Sequence, residues 1–437
     1  MPKARSYITC GFGCDMSASP RNLLVVNSGK EAPIPILMSM SELRPFVVTE
    51  HRYRHMWPAD THIACVDNAS DPYQVHKAAL ALLPDNGFIG AAGLSERTIG
   101  PAGYVASQLA LPHGYRMETA ARSTNKFAMK QALAKAGVRT AGHRLVPTPN
   151  ALFAHDWSFP TIFKPTIGGG VSGVFVVHTS DELHSSRVVK QITKLGKPQT
   201  PSSDRFPLIA EDFLPVDREF HVDALVLGGQ VRRIAVSEYF RPVMAYAGGG
   251  MFGSRTLRDP ALRAELIDLH KAVVHACGMT TGITHFEALM SGGELFAGEI
   301  AARPGGGGIP LMLRHALGWD TWATYLQLAA GIECEAECGS PSVAKDGYED
   351  ETQEFFAQCM FPLEPGVVEH VPSCEDLERV PGVREAIVSI RAGQLIAGAR
   401  DSSTTSAVVV ASASDSAQLD SVIDQVRRSF HMRMAKP

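Results

Sequence analysis

Residues 283–303, ITHFEALMSGGELFAGEIAAR, decide the fold predicted for this chain. The central Ser-Gly-Gly-Glu segment is a strong β-hairpin signal, because it separates two short apolar runs. A turn there places Glu287 opposite Gly298 or Glu299. Since side chains alternate along a strand, Glu299 and Arg303 project to the side that Glu287 can reach. The hairpin is therefore predicted to bring two carboxylates and a guanidinium group together.

The facing acids allow two interpretations. Like-charged carboxylates destabilise a hairpin unless a cation lies between them, and a hard ion such as Mg²⁺ binds carboxylate oxygens together with substrate phosphates. The alternative is a solvated hairpin face that carries a surface salt bridge. Pro304 and the glycines at 305–308 favour the first interpretation, since a backbone with little side chain can approach a ligand closely.

Length and charge narrow the class of protein. The chain has 437 residues, enough for two or three domains, and it can fold without a disulfide or metal. Its formal charge of −4 excludes a broad electrostatic surface for nucleic acid. No apolar run approaches the length of a membrane span, and polar residues and glycines interrupt any signal-peptide core near the N-terminus. We expect a soluble, cytoplasmic protein with no nucleic-acid or membrane partner.

The eight cysteines are scattered along the sequence. The only close pairs are Cys10 with Cys14 and Cys334 with Cys338, and no histidine pair lies near either. A zinc site would need such neighbours, so we interpret the cysteines as reduced thiols of a cytosolic protein.

Alternating apolar strands and helices predict a small parallel α/β domain within residues 1–120. The strands are expected at 23–26, 46–48 and 63–66, and the helices at 72–83 and 99–109. Gly29 follows the first strand, but it is a weak nucleotide signal because a complete GxGxxG is absent.

Residues 121–335 are predicted to form a second domain. Ser123, Thr124 or Asn125 can cap a helix that stops at Gly137. Two strands, at 161–164 and 174–177, enclose the glycine loop IGGGVSG within a lid of about residues 155–215. The Pro-, Ser- and Lys-containing segment 194–207 is typical of an exposed, mobile connection. Beyond it we expect two strands within 208–227 and helices at 260–277 and 309–328.

Residues 336–437 are predicted to form a small C-terminal α+β domain, which a polar linker at 339–352 introduces. Its strands are expected at 355–362, 384–390 and 406–411, and its closing helix at 416–430.

Lys164 precedes the glycine loop, whereas the lysine of a Walker A loop follows the glycines and opens a helix. Phosphates would here be covered by a β-hairpin lid, with backbone N–H groups of Gly168, Gly169 and Gly170 meeting their oxygens. An ordinary glycine-rich hairpin with an exposed lysine would have the same sequence.

The segment 211–214 and Glu219 fit an adenosine. Backbone groups and apolar side chains would hold the adenine, and an acid would remain for the ribose hydroxyls. The alternation of Glu219, His221 and Asp223 could equally be a polar sheet face. His221 and His285 are interpreted as structural, because neither has a Ser or Cys arranged with it as a triad.

These pieces together resemble the ATP-grasp superfamily from about Asn125 to Gly308. The resemblance rests on Lys126 in STNKFAMKQALAKAGV, Lys164 in FKPTIGGGVSGV, the segment EDFLPVDREF, and Glu287, Glu299 and Arg303 in HFEAL and GEIAARPGG. It implies an ATP-grasp fold of α/β and α+β class, with a Rossmann-like α/β domain before it and a small α+β domain after it.

The resemblance also implies a role for each matching residue. Phosphates of ATP would contact Lys126, Lys164, Gly169 and Gly170, adenine would be held by Glu211, Phe213 and Leu214, and ribose would be bound by Glu219. Mg²⁺, or Mn²⁺ in its place, would bind Glu287 and Glu299, while Arg303 and Lys164 would stabilise the acyl-phosphate reaction. One position departs from the pattern: many family members have Asn where this chain has Ala301, so a second Mg²⁺ would lack one oxygen ligand.

The GEIAARPGGG form is similar to the branch of L-amino-acid ligases and carnosine synthase. This implies an ADP-forming ligase that activates a carboxylate as an acyl phosphate and joins it to an amine, with small-molecule substrates and a homodimeric assembly. The alternatives are a biotin-carboxylase-like or purine-pathway ligase and a catalytically silent ATP-binding regulator. Residues 241–258, with Tyr246 and Arg255, could accept the substrate carboxylate, although a surface loop explains them nearly as well.

Overall fold

The structure, a computed structural model, describes residues 19–169, 173–195, 207–332, 343–344, 347–348, 354–396 and 405–435. Gly170, the two close cysteine pairs and most of the segments 194–207 and 339–352 therefore lie outside the described residues. The four described cysteines, Cys65, Cys277, Cys359 and Cys374, are free thiols.

The N-terminal region is a parallel α/β unit, as predicted. Its elements are β1 Arg21–Asn27, α1 Pro33–Ser39, β2 Leu43–Glu50, β3 His62–Val66, α2 Pro72–Leu82, β4 Gly90–Gly93, α3 Glu96–Gln108 and α4 Met117–Arg122. The sheet order is β3-β2-β1-β4, and all three pairings are parallel. Because the winding direction reverses between β1 and β4, a crevice is expected at the carboxyl ends of these two strands.

The glycine loop belongs to a separate four-stranded antiparallel sheet, in the order β5-β8-β6-β7. This part contains α5 Lys126–Lys135, β5 His143–Val146, α6 Pro149–Ala154, β6 Thr161–Pro165, β7 Phe175–Val177, α7 Ser180–Leu183, α8 Ser186–Leu195 and β8 Leu208–Asp212. Its core is packed around Phe163 and Phe175, whose rings stack at 5.4 Å. Since β5 pairs with β8, the sheet begins before the predicted lid range of about 155–215.

Eight of the remaining described strands form one antiparallel sheet, and the other five form two small separate sheets. The elements up to the C-terminal part are β9 Arg218–Leu227, β10 Gln230–Tyr239, β11 Phe252–Thr256, α9 Pro260–Cys277, β12 Gly282–Ser291, β13 Glu294–Ala301, α10 Ile309–Leu317 and α11 Thr321–Ala329. The remaining elements are β14 Val343–Ala344, β15 Gly347–Tyr348, β16 Phe355–Pro362, β17 Gly366–His370, α12 Cys374–Glu378, β18 Val383–Val388, β19 Leu395–Ile396, β20 Thr405–Ala413, α13 Ser416–Ser429 and β21 Arg433–Ala435.

The order of the large sheet is β13-β12-β9-β10-β11-β16-β20-β18. The β11–β16 pairing joins the central region to the C-terminal region, so one sheet runs through both. The sheet therefore does not stop at the predicted boundary between residues 335 and 336.

The prediction of one helix over 309–328 was wrong. The chain forms α10 and α11 instead, because Gly318 adopts a left-handed conformation with φ of +60° and Asp320 caps the second helix. A left-handed residue ends a helix, and the Asp320 carboxylate accepts from the amides of Trp322 and Ala323.

The two faces of the large sheet differ in polarity. One face is apolar, with Phe220, Val222 and Phe286 buried against α9 and α5 in the same core. The other face carries Glu219, His221 and Asp223 at one end of β9 and becomes apolar at Leu225, which joins the core shared with β1, α10 and α11. The candidate site is therefore sought at the polar end of this face.

None of the described helices combines the length and the apolar character that crossing a bilayer requires.

Candidate active site

The β12–β13 hairpin places Glu287 directly opposite Glu299. From the two-residue turn back to the pair Ala288 and Ala297, each residue of one strand faces one residue of the other. Beyond this pair a β-bulge adds Gly298 to the second strand. A Cβ at Gly298 would lie 2.6 Å from the carbonyl oxygen of Glu287, so only glycine fits there without a shift. The bulge selects the second of the two registers that the sequence allowed.

Glu299 is held between two lysines from different elements. Its carboxylate oxygens lie 3.0 Å from Nζ of Lys126, at the start of α5, and 3.0 Å from Nζ of Lys164, on β6. Asn125 fixes the start of α5 by accepting hydrogen bonds from the amides of Phe127 and Ala128. The hairpin, the helix and the lid sheet thus meet at this carboxylate.

Glu211 extends the same alternation of charges. Lys164 Nζ lies 3.1 Å from its Oε1, and Lys130 Nζ lies 3.9 Å from its Oε2. Lys130 is fully buried and also donates to the Ala297 carbonyl at 3.0 Å. Sequence reasoning missed Lys130, although its place one helical turn after Lys126 was a usable signal.

This charge network explains the ionisation of its members. Burial alone would raise the pKa of Glu299, but Lys126 and Lys164 outweigh it and lower that pKa to about 2. Burial lowers the pKa of Lys164, and the two acids more than reverse this, so that it lies above its usual range. For Lys130, burial prevails and its pKa is lowered. Lys164 and Glu299 are therefore both charged at neutral pH.

Glu219 and Glu287 lie on the same face of the large sheet, at diagonal positions of β9 and β12. The Val243 amide donates to Glu219 at 2.7 Å, and the Tyr239 hydroxyl donates to Glu287 at 3.3 Å. Burial, followed by the charge of Glu287, raises the pKa of Glu219 to about 8. Glu219 is therefore protonated at neutral pH in the free protein and can donate as well as accept.

A buried polar chain continues from Glu287 across the sheet. The Asp223 carboxylate lies 2.9 Å from Nδ1 of His285 and 2.6 Å from Nδ1 of His221, and both histidines must donate because this carboxylate is ionised. His221 also contacts the Ser254 hydroxyl, at 2.8 Å. Burial opposes the charge of His285, but Asp223 raises its pKa to about 9.

The ligand atoms of His221, Asp223 and His285 lie within 4.8 Å of one another, close enough for a metal. The hydrogen bonds already satisfy the carboxylate and both Nδ1 atoms, so the cluster is explained as a structural network. This agrees with the interpretation of the two histidines from the sequence.

Arg303 follows β13 and reaches the N-terminal unit. Its guanidinium donates to the Glu96 carboxylate at 3.0 and 3.2 Å. Glu96 begins α3, directly after the end of β4, and it was not singled out in the sequence. Burial raises the pKa of Glu96, and Arg303 opposes this. The predicted guanidinium is thus paired across a domain junction, and among the described contacts none joins it to Glu287 or Glu299.

The glycine segments behave differently from each other. At Gly168 and Gly169 an added Cβ would meet nothing within 4 Å, so this loop is open where phosphates were expected. In the later run, Gly305 packs against Asp223 and His285 and Gly307 against Met360, whereas Gly306 is open. The later glycines therefore serve packing on the sheet as well as any approach to a ligand.

Other predicted residues are placed as follows. Phe213 and Leu214 follow β8 and are partly exposed. The Glu211 carboxylate contacts Lys164 instead of facing the same way as these two side chains. Arg255 lies on β11 and pairs with Asp420 of α13 at 2.8 Å, so it does not face the acids as a substrate acceptor would. Ala301 is buried opposite His285.

The family model described as L-amino acid ligase C-terminal domain 2 matches residues 359–435. The chain is 26% identical over 426 residues to the L-arginine-specific L-amino acid ligase of Bacillus subtilis, which covers 95% of this chain and 98% of that protein.

Two of the solved structures that share the fold illustrate the similarity. The L-amino acid ligase from Bacillus licheniformis superposes with a TM-score of 0.75 at 17% identity, covering 96% of this chain and 100% of that one. The carboxyaminoimidazole ribonucleotide synthase from Aspergillus clavatus, complexed with ATP, gives 0.67 at 13% identity, over 94% and 98% of the two chains. The predicted ATP-grasp fold is confirmed, and over nearly its whole length the chain is similar to the L-amino acid ligases, as predicted.

Proposed function

We propose that the chain joins the carboxylate of an amino acid to an amine, in particular that of a second amino acid, while ATP is converted to ADP and phosphate. The observation that carries this proposal is the position of Glu299, opposite Glu287 and between Lys126 and Lys164. Such a group of fixed charges fits a polyphosphate and its counterion better than a neutral substrate.

The chemistry requires activation because a carboxylate is a poor electrophile. Transfer of the γ-phosphoryl group gives an acyl phosphate and ADP, and the amine then attacks the acyl carbon and releases phosphate. In this proposal Lys126, Lys164 and Arg303 offset the charge that develops on the phosphoryl oxygens. No covalent intermediate with the protein is needed.

We assign the nucleotide to the space between the lid sheet and the large sheet. The open backbone of Gly168 and Gly169 would face the phosphates, and Phe213 and Leu214 would lie against adenine. Glu219 would bind the ribose hydroxyls, and Glu211 would act indirectly, by fixing Lys164. Gly170 remains a proposed phosphate contact outside the described residues.

Glu287 and Glu299 fit a hard divalent ion, because the facing ligands are all carboxylate oxygens. Besides the Tyr239 hydroxyl at 3.3 Å, Glu287 has His285 Nε2 at 3.7 Å, which leaves carboxylate lone pairs available. The ion would be Mg²⁺, with Mn²⁺ able to replace it, and it would neutralise phosphate charge. With Ala301 at the usual Asn position, a second ion would depend on water or phosphate oxygens.

The substrates are proposed as amino acids. One relative is named for L-arginine, so L-arginine belongs in any first set of substrates. A cytoplasmic location and a homodimeric assembly remain part of the proposal.

The test is a screen of amino-acid pairs, including L-arginine with each common amino acid, for ATP-dependent phosphate release and a dipeptide mass. A pair that gives both products supports the proposal. Nucleotide binding without phosphate release for any pair or simple amine would instead support a silent ATP-binding regulator.

A further inference from the structure

Lys30 lies on the loop after β1, at the crevice where the winding of the N-terminal sheet reverses. The neighbouring strand β4 ends at Gly93, and Glu96, the partner of Arg303, follows it. The Val26 carbonyl accepts from the amide of Leu94 at 3.0 Å, which ties the ends of the two strands together. Ligands of open α/β sheets bind in crevices of this kind.

The loop that carries Lys30 is held firmly. The Asn27 side chain accepts from the Lys30 amide at 2.9 Å and donates to the Lys30 carbonyl at 3.1 Å. Gly29 has φ of +74°, and an added Cβ would lie 2.6 Å from the ring of Tyr53. The side chain of Lys30 therefore starts from a fixed backbone position.

The opposite wall of the crevice comes from the central region. Tyr325 of α11 is buried and donates to the carbonyl of Gly93 at 2.9 Å, at the end of β4. Arg303 enters from the end of β13 and binds Glu96. The crevice thus lies where the N-terminal and central regions meet, and Arg303 borders it.

Lys30 is a cation without a counterion in this junction. It is partly buried, and within the described ranges its ammonium group has no ion pair or hydrogen bond. Burial, together with the charge of Arg303, lowers the pKa of Lys30 to about 8. Arg303 is paired with Glu96, and the buried Glu50 carboxylate accepts from the Ser28 hydroxyl at 2.9 Å, so in the described ranges neither carboxylate is paired with Lys30.

We infer that Lys30 binds a second carboxylate of the substrates, one that is not activated, so that the chain selects substrates carrying such a group at this crevice. This inference rests on the proposed ligase function and names its specificity. The carboxylate has two possible sources: the α-carboxylate of the amino acid that supplies the amine, or the side chain of an acidic donor. Charge-assisted hydrogen bonding to the Lys30 ammonium group recognises both in the same way.

The test compares wild type with Lys30→Met, which keeps an unbranched side chain of similar shape and loses the charge. Lys30→Arg is the rescue variant, and Lys77→Met, at an exposed position of α2, is the matched control. In one arm the amine is glycine or glycinamide, with the donor amino acid found in the screen. In the other arm the donor is L-aspartate or L-asparagine, with hydroxylamine as the amine.

In one of the two arms we expect Lys30→Met to raise KM for the carboxylate-bearing probe about 10- to 100-fold, the usual effect of losing a hydrogen bond to a charged group. The matching amide should keep its KM and kcat, and Lys30→Arg should restore most of the difference. The arm that responds identifies the source. Equal losses for carboxylate and amide, or no loss in either arm, would overturn the inference.

Binding provides a readout that does not require turnover. With Mg²⁺-ADP present, wild type should be stabilised against heat by glycine or L-aspartate more than by the corresponding amide, and Lys30→Met should lose this preference. Absence of the preference in wild type would overturn the inference. If wild type shows it but catalyses no ligation, the proposed function fails and the anion site stands.

Discussion

Glu299 and Glu219 are both carboxylates at the polar end of one sheet, yet their neighbours move their pKa values in opposite directions. For Glu299 burial is outweighed by two lysines, and its pKa falls to about 2. For Glu219 burial is reinforced by the charge of Glu287, and its pKa rises to about 8. One acid is therefore fixed as an anion, while the other is neutral until a ligand or a higher pH changes its state.

Replacing Glu299 by Gln should abolish ligation, with a loss of roughly 100-fold or more, because a neutral amide cannot hold a metal ion or balance two lysines. Phosphate release is the measurement. Glu294→Gln, in the exposed turn of the same hairpin, is the control and should retain activity. Near-normal activity of Glu299→Gln across a Mg²⁺ titration would contradict the assignment.

Glu299→Gln should also change how the unfolding free energy depends on pH, because it removes the ion pairs with Lys126 and Lys164. A depressed folded-state pKa contributes stability that is present above the unfolded value of 4.5 and is lost as pH falls toward 2. The difference in unfolding free energy between wild type and Glu299→Gln should therefore shrink over this range, as measured by urea denaturation without ligands. A difference that stays constant would argue against the network.

Glu219→Gln should show the opposite dependence. The folded protein keeps the Glu219 proton up to about pH 8, whereas the unfolded chain loses it near 4.5, so wild type loses stability as pH rises between these values. The amide can still accept from Val243. In urea denaturation without ligands, the variant should gain stability relative to wild type at pH 9 but not at pH 4, and equal differences at both would contradict the raised pKa.

At the scale of elements, the β12–β13 hairpin depends on a bulge at one residue. Gly298→Ala should destabilise the protein by about 1–3 kcal/mol, since the added Cβ would strike the Glu287 backbone, which cannot move aside as a side chain can. It should also lower activity, because the facing acids would separate. Gly100→Ala, inside α3, has its nearest contact at 3.9 Å and should instead stabilise slightly. The measurements are the melting temperature and the rate of phosphate release of both variants. Equal changes in Gly298→Ala and Gly100→Ala would contradict the role of the bulge.

The sequence predicted those elements whose ends are marked by local capping or turn residues. Helix α9 begins with Asp259 as cap and ends at left-handed Gly278, and the sequence gives both limits. Strand β11 was missed because its sequence, FGSRT, has weak strand propensity and is formed by pairing with β16, about a hundred residues away. Strand β10 was also missed; its Arg233 is accommodated by the ring of Trp319, at 5.3 Å, a contact that no local pattern contains.

The candidate site also contains residues that local motifs predict and contacts that only the folded chain shows. Lys126, Lys164, Glu287 and Glu299 could be named from motifs, because each lies in a recognisable segment. The pairing of Glu96 with Arg303 joins residues more than two hundred positions apart, so only the folded chain reveals it. The register of the acids was open between two choices until Gly298 settled it by packing.

At the scale of the whole molecule, the C-terminal region completes the large sheet. A chain ending at residue 332 would leave β11 without its partner β16 and expose Ser254, which Gln358 contacts at 3.1 Å. We expect this truncated chain to lose its cooperative thermal transition, as followed by circular dichroism. A sharp transition near that of the full chain would show that the C-terminal region is an independent unit.

The central claim is that the β12–β13 hairpin, helix α5 and the lid sheet together form a site for an acyl phosphate. The most direct measurement identifies the nucleotide product when hydroxylamine replaces the amine, with ATP, Mg²⁺ and the donor amino acid. Hydroxylamine is small enough to intercept an acyl phosphate at the proposed site. The account predicts ADP, phosphate and a hydroxamate in equal amounts; AMP and pyrophosphate would contradict it, because they would require an adenylated carboxylate.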